Sequence, residues 1–212
     1  MHKLIYLLLA ACLATAHAPA WAQDASLFEA VAAGELQEVA RLVSAGAGVN
    51  AQNDDAESPL YLAAEKGHAE ITHLLLSKGA NVKSLTANGE TALHAGALNG
   101  EAAVLLLLLE HGAEVNRANR DGERPLFWAA AAGHGRAAKL LLDRGADINA
   151  VDARGNSALH GAVDGGHETL VLLLLDQGAS RGYRNVAGDT ALDIARKRAY
   201  AEIIEMLQSR AR

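Results

Sequence analysis

The sequence predicts an all-helical solenoid: short helix-turn-helix units joined by β-turn or hairpin loops, about six of them counting the two ends. Three columns of residues carry this prediction, each recurring every 33 positions without an insertion. The pairs Gly46-Ala47, Gly79-Ala80, Gly112-Ala113, Gly145-Ala146 and Gly178-Ala179 form one column. Gly34, Gly67, Gly100, Gly133 and Gly166 form the second. Ser58, Thr91, Arg124, Ser157 and Thr190 form the third, each followed two residues later by a leucine. Composition agrees: half of the 212 residues are hydrophobic but only 4% are aromatic, so the apolar mass is alanine and leucine. Twenty glycines against three prolines suit many short elements closed by tight turns.

Within one period the order of elements follows from residue chemistry. Ser58, Thr91, Ser157 and Thr190 offer an oxygen to the orphan amides of a helix start. Pro59 and Pro125 fall at the first helical position, where a missing N–H costs little. An alanine-rich first helix follows, as in Leu62-Ala63-Ala64 and Ala129 to Ala132, and small residues let neighbouring helices approach closely. Gly67 and its equivalents end it, because glycine accepts the left-handed conformation of a helix C-terminus. A second, more apolar helix comes next: Ile71, Leu74, Leu75 and Leu76 in one copy, Val104 to Leu109 in another. The Gly-Ala pair closes that helix. Val49-Asn50, Val115-Asn116 and Ile148-Asn149 then lead into a polar tip with Gly89, Gly122, Gly155 and Gly188 at one turn position. Helices this short are marginal alone, so each copy must bury its leucine face on its neighbours, at roughly 1.5–3 kcal/mol per leucine.

The run Thr91-Ala92-Leu93-His94-Ala95, with Ser58-Pro59-Leu60-Tyr61-Leu62-Ala63-Ala64, resembles the T-P-L-H-x-A signature of ankyrin repeats. Gly67-His68-Ala69-Glu70-Ile71 and Gly145-Ala146-Asp147-Ile148-Asn149-Ala150 are similar to later segments of that repeat. The resemblance covers about residues 24 to 210 and implies a stack with a concave recognition face. The expected copies are 24–50, 51–83, 84–116, 117–149, 150–182 and 183–212. The first lacks its loop and the last carries Arg196-Lys197-Arg198, Glu202, Glu205 and Gln208, polar residues suited to a C-terminal cap.

Residues 1–22 are expected to be a signal peptide and 23–212 the repeat domain. His2 and Lys3 start it, Leu4 to Ala14 is mainly apolar, and Ala20-Trp21-Ala22 offers a small-x-small site before Gln23. A second reading takes Leu9-Ala10-Ala11-Cys12 as a lipobox that would lipidate Cys12. It leaves only Leu4 to Ala11 as apolar core, near the ~7-residue minimum, so cleavage after Ala22 is preferred. That cleavage removes Lys3 and the single cysteine, so the remaining chain could form no disulfide. An exported fold without disulfides suits a bacterial periplasm.

The formal net charge is −6, which disfavours nonspecific nucleic-acid binding. Beyond the N-terminus no apolar run reaches the ~18 residues of a membrane span. Phosphate-cradling loops, dinucleotide fingerprints, H-E-x-x-H and G-x-S-x-G are absent from the sequence. His94 and His160 share a column with Phe28, Tyr61, Phe127 and Asp193 and are expected to hydrogen-bond their own helix caps. They lie two copies apart, too far for nitrogens that must both approach a metal to ~2 Å. His68, His134 and His167 follow the interhelix glycine and are expected to be turn residues. Trp128 is expected to fill space between Ala95 and Gly161. No enzyme activity, cofactor or metal is expected. A metal-binding or hydrolytic protein using the loop carboxylates and histidines is the alternative.

Binding must then come from exposed positions that differ between copies. The resemblance places these at the loop tips and first-helix ends. The tips carry Asp54, Asp55 and Glu57; Asn88 and Glu90; Arg120, Asp121 and Glu123; Arg154 and Asn156. The helix ends carry Glu65 and Lys66, Leu98 and Asn99, Ala131, and Asp164. Leu85 and Val151, just before their tips, are expected to be exposed apolar contacts. The acidic cluster Asp54, Asp55 and Glu57 is either a solvated tip or a contact for a basic partner. The expected protein is a monomer that binds another exported protein as scaffold, stabiliser or inhibitor. Resemblance to exported bacterial ankyrin proteins implies partners such as a catalase or a toxin.

Overall fold

The computed structural model describes residues 20–209 of the chain. The leader, except for its last three residues, and Cys12 lie outside the described residues. Twelve helices occur among the described residues, in six pairs. They are α1 (Ala20–Ala33) and α2 (Leu36–Ser44), α3 (Pro59–Glu65) and α4 (Ala69–Ser77), α5 (Ala92–Asn99) and α6 (Ala102–Glu110). Then come α7 (Pro125–Ala131) and α8 (Gly135–Asp143), α9 (Ala158–Asp164) and α10 (Glu168–Asp176), α11 (Ala191–Arg198) and α12 (Ala201–Gln208). The expected cleavage point after Ala22 falls in the first turn of α1. No helix among the described residues is long and apolar enough to cross a membrane.

The elements start and stop for the reasons read from the sequence. The Ser58 hydroxyl accepts from the Tyr61 amide at 3.1 Å, and Thr190 caps α11 in the same way at 3.2 Å. Pro59 and Pro125 occupy the first turns of α3 and α7. The interhelix glycines are left-handed, with φ of +74° at Gly67 and +80° at Gly133. With glycine in that state the next amide turns back onto the helix: His68 N–H reaches the Ala63 carbonyl and His134 N–H the Ala129 carbonyl, both at 2.9 Å. The Gly-Ala pairs do the same, as Ala113 N–H to Leu108 O at 3.0 Å shows.

The helices pack in two rows. The first helices of successive units (α1, α3, α5, α7, α9, α11) each touch the next, and so do the second helices (α2, α4, α6, α8, α10, α12). One continuous apolar cluster runs from Leu27 to Leu207 between the rows. Its first-helix side is largely alanine, with Ala63, Ala64, Ala129 and Ala130 fully buried, and its second-helix side is leucine, with Leu75, Leu108, Leu141 and Leu174 fully buried. Small residues bring one row close, and leucines fill the wider space behind it. On α11 and α12 the expected cap residues Arg196, Lys197, Arg198, Glu202, Glu205 and Gln208 are all exposed.

Candidate interaction surface

The loop tips are built from backbone outward. Each is a five-residue turn: Thr86 O accepts from Gly89 N–H at 2.9 Å, Thr86 N–H donates to Glu90 O at 3.0 Å, and Gly89 sits at φ +78°. This is a type I turn closed by a left-handed residue. A column missed in the sequence reading organises the tips. Asn53, Thr86, Asn119, Asp152 and Asn185 point a side-chain oxygen at two amides of their own turn. Asn119 Oδ1 accepts from Asp121 and Glu123 N–H at 3.0 and 2.9 Å, and Asp152 Oδ1 from Arg154 and Asn156 N–H at 2.8 and 2.7 Å. The signal was present as an Asx or hydroxyl residue recurring at the tip, which such turns require.

Neighbouring tips are then tied into a ladder. Ala87 N–H donates to Asp55 O, Arg120 N–H to Asn88 O, Ala153 N–H to Asp121 O and Val186 N–H to Arg154 O, at 2.8–2.9 Å. The backbone of the tips is thereby fixed while their side chains stand free. Asp54, Asp55, Asn88, Arg120, Asp121 and Arg154 are exposed, and so are Lys66, Asn99, Ala131 and Asp164 on the helix ends. Leu98 is 47% and Val151 40% exposed. Leu85, expected to be exposed, is half-buried and lines a small cavity with Val82 and Thr91.

Several of the predicted contact residues also serve the stack. Glu90 accepts from the Tyr61 hydroxyl at 2.8 Å; burial and this acceptor push the tyrosine's ionisation upward. Glu123 accepts from Trp128 Nε1 at 2.9 Å and Asn119 Nδ2 at 3.1 Å. Glu57 holds Asn53 Nδ2 at 2.8 Å, and Asn156 holds Asp152 and Asn185. Asn99 donates to the Glu65 carbonyl at 3.1 Å, Asp164 pairs with Arg198 at 2.7 Å, and Glu65 pairs with Lys66 at 2.9 Å.

Trp128 does not fill the space beside Gly161. Its half-buried ring meets His94 edge to face at 5.5 Å, and the ring that lies against Gly161 is that of Phe127. The tryptophan's N–H needs an acceptor, and the carboxylate of Glu123 supplies it.

Four of the histidines, His94, His134, His160 and His167, are built into the stack. His94 Nδ1 accepts from Thr91 N–H at 3.1 Å, and its Nε2 donates to Glu123 O of the next copy at 3.2 Å. Burial lowers its pKa to about 4, so the ring is neutral. His160 Nδ1 accepts from Ser157 N–H at 3.1 Å, and burial lowers its pKa too. His134 and His167 do more than turn the chain: each donates from Nε2 to a carbonyl of the preceding copy, Leu98 at 2.9 Å and Ala131 at 3.0 Å. Among the described residues, no three His, Cys, Asp or Glu side chains are grouped to hold a metal ion.

Charge is unevenly spread along the surface between the tips and the first-helix row. Its N-terminal part carries Asp24, Glu29, Asp54, Asp55, Glu57, Glu65 and Glu90 against Lys66 alone. Its C-terminal part mixes Arg120, Arg154, Lys197 and Arg198 with Asp121, Asp164 and Asp189. Leu98 and Ala131 make an apolar stretch between them.

Comparison with known families matches a model described as ankyrin repeats (3 copies) to residues 27–119 and 126–211. A second, ankyrin repeats (many copies), matches residues 101–142. No curated protein matches the chain. Ankyrin repeats are generally protein–protein interaction modules. With its paired helices, ladder of tips and matched repeats, this chain belongs to the ankyrin-repeat family.

Proposed function

We propose that the protein is exported, is cleaved after Ala22, and works as a monomer in the bacterial periplasm. There it binds another exported protein, as a scaffold, stabiliser or inhibitor, without catalysis of its own. The observation that carries this reading is the division of each copy into two sets of positions. Those that recur across copies, such as Leu60, Leu93, Leu126 and Leu159, are buried and hold the stack. Those that differ, such as Asp54, Asn88, Asp121 and Arg154, stand exposed on tips whose backbone is fixed by the ladder. A rigid row of variable side chains needs little ordering on binding, which favours recognition. The absence of cysteine after Gln23 fits an export route in which packing alone must hold the fold.

Capture of interacting proteins from the native compartment by the purified protein tests the reading, with mass spectrometry to identify them. The double variant Asp54→Lys/Asp55→Lys leaves the turn-forming side chains untouched. It is expected to slow association and flatten its salt dependence. Binding that ignores the substitutions places the contact elsewhere. An intact mass beginning at Gln23 tests cleavage after Ala22, and a lipidated Cys12 would replace that site with a lipid-anchored exported form.

A further inference from the structure

The first loop tip and helix α1 flank an open niche of about 590 Å³ lined by the apolar Phe28 and Leu62 and by Asp24, Glu29, Asp54 and Glu57. We infer that this niche is the seat of an arginine side chain presented by the protein partner, next to an apolar residue. The inference rests on the interaction reading above and names the chemistry of its anchor.

Two niches on this face share part of their lining at equivalent repeat positions. Three copies further on, the corresponding niche is lined by Phe127, Asn156 and Gly161 in place of Phe28, Glu57 and Leu62. The carboxylates that line it stand at the repeat positions of Glu65 and Glu90, outside the N-terminal niche, and are neutralised within the protein: Asp164 pairs with Arg198 at 2.7 Å and Asp189 with Lys197 at 2.5 Å. The N-terminal niche has four carboxylates and no cation on its lining. Among the described residues, Asp24 accepts from Gly48 N–H at 2.6 Å and Glu57 from Asn53 Nδ2 at 2.8 Å, both neutral donors. Such bonds orient the carboxylates without cancelling their charge; cleavage after Ala22 would set the Gln23 amino group beside Asp24, which leaves Glu29, Asp54 and Glu57 as the uncompensated rim. Like charges gathered around an apolar floor repel one another, and an external cation relieves that repulsion.

The floor selects which cation. A bare metal ion needs several oxygens converging on one point, and no three of the described carboxylates are grouped to hold one. Arginine carries an aliphatic stem that can lie on Leu62 and a planar guanidinium that can stack on Phe28 while its edge meets two carboxylates.

Titration of the isotope-labelled, purified protein with N-acetyl-leucyl-arginine amide tests this, followed by amide chemical shifts. Saturable shifts confined to residues 24–32 and 52–62, at millimolar concentration, are expected. The citrulline analogue, equal in shape and uncharged, is expected to bind at least about fivefold more weakly. Glu29→Gln/Asp54→Asn is expected to weaken the arginine probe by about fivefold, and Phe28→Leu, which keeps an apolar floor but no ring, by about twofold to threefold. Shifts of equal size at Glu70, Glu110 and Glu168 on the second-helix row overturn the inference, as does equal binding of the citrulline analogue or no saturable shift. A captured protein partner that binds Glu29→Gln/Asp54→Asn unchanged overturns the niche and leaves the interaction reading standing. A saturable probe with no captured protein supports the niche and counts against that wider reading.

Discussion

His134 occupies the space that a β-carbon on Gly100 would need: such an atom would lie 2.4 Å from the imidazole Cγ. The ring enters from the following copy to donate its Nε2 hydrogen to Leu98 O. Gly100 therefore answers two demands, a left-handed φ of +85° and room for its neighbour's side chain. Gly112 has nearly the same φ, +88°, and a methyl group added there would meet nothing within 4 Å. Gly112→Ala is expected to cost about 1 kcal/mol, the left-handed penalty reduced by the lower entropy of the unfolded chain. Gly100→Ala should cost about 2–4 kcal/mol, because the histidine must leave and its hydrogen bond is lost. Equal losses of the two variants in urea unfolding would remove the steric argument.

Two alanines stand where the other copies place glycine. Ala56 takes the left-handed position of the first tip at φ +58°, and Ala199 that of the last interhelix turn at φ +59°. A β-carbon in this conformation costs roughly 1–2 kcal/mol, and the greater freedom of unfolded glycine returns about half of that. Ala56→Gly and Ala199→Gly are each expected to stabilise the protein by about 0.5–1 kcal/mol. A lowered urea midpoint for both would contradict the assignment of strain.

The periodic columns made the helices, their ends and the turn glycines legible, because each is a local demand on one backbone position. What stayed hidden were contacts between copies. The bond from His134 to Leu98 spans 36 residues, and nothing at either position alone announces it. Ala56 and Ala199 were hidden for the opposite reason: the column is recognised by glycine, and strain appears only where glycine is missing. At the surface, the exposure of Asp54 and Arg154 followed from their place on a tip. The second duties of Glu90 and Glu123 did not, since they depend on Tyr61 and Trp128 reaching across.

One interface lacks a staple that others have. Asn50 Oδ1 accepts from Asn81 N–H at 2.7 Å while its Nδ2 donates to Gly79 O at 3.1 Å. Asn116 repeats the arrangement with Asp147 and Gly145, at 2.8 and 2.9 Å. At the intervening position Lys83 stands instead and reaches Glu114 at 3.7 Å through two exposed side chains. An exposed ion pair contributes little, whereas two hydrogen bonds to backbone contribute about 1 kcal/mol net. Lys83→Asn is expected to raise stability by about 1 kcal/mol and to slow hydrogen exchange at residues 112–114. Unchanged exchange there would show that no staple forms.

The buried histidines give the stack an acid-sensitive seam with a defined direction. His94 is fully buried, and its folded pKa of about 4 lies below the ordinary 6.5. Between those values the unfolded chain binds a proton that the folded chain refuses, so folding stability rises with pH through the window. The contribution is complete above about pH 6.5, shrinks as the pH falls, and is exhausted near pH 4, where the folded ring itself takes the proton. The loss is at most about 3 kcal/mol for this site. His160 shifts in the same direction, also through burial, and adds to the slope. Protonation must also break geometry, because Nδ1 of His94 is an acceptor for Thr91 N–H and cannot carry a hydrogen there. His94→Gln keeps an acceptor for that amide, as glutamine does in a capping box, and cannot titrate. Its urea midpoint is expected to fall less than that of the parent protein between neutral pH and pH ~5, while the carboxylates contribute alike to both. Parallel decline of the two proteins across that range would place the acid sensitivity outside this seam.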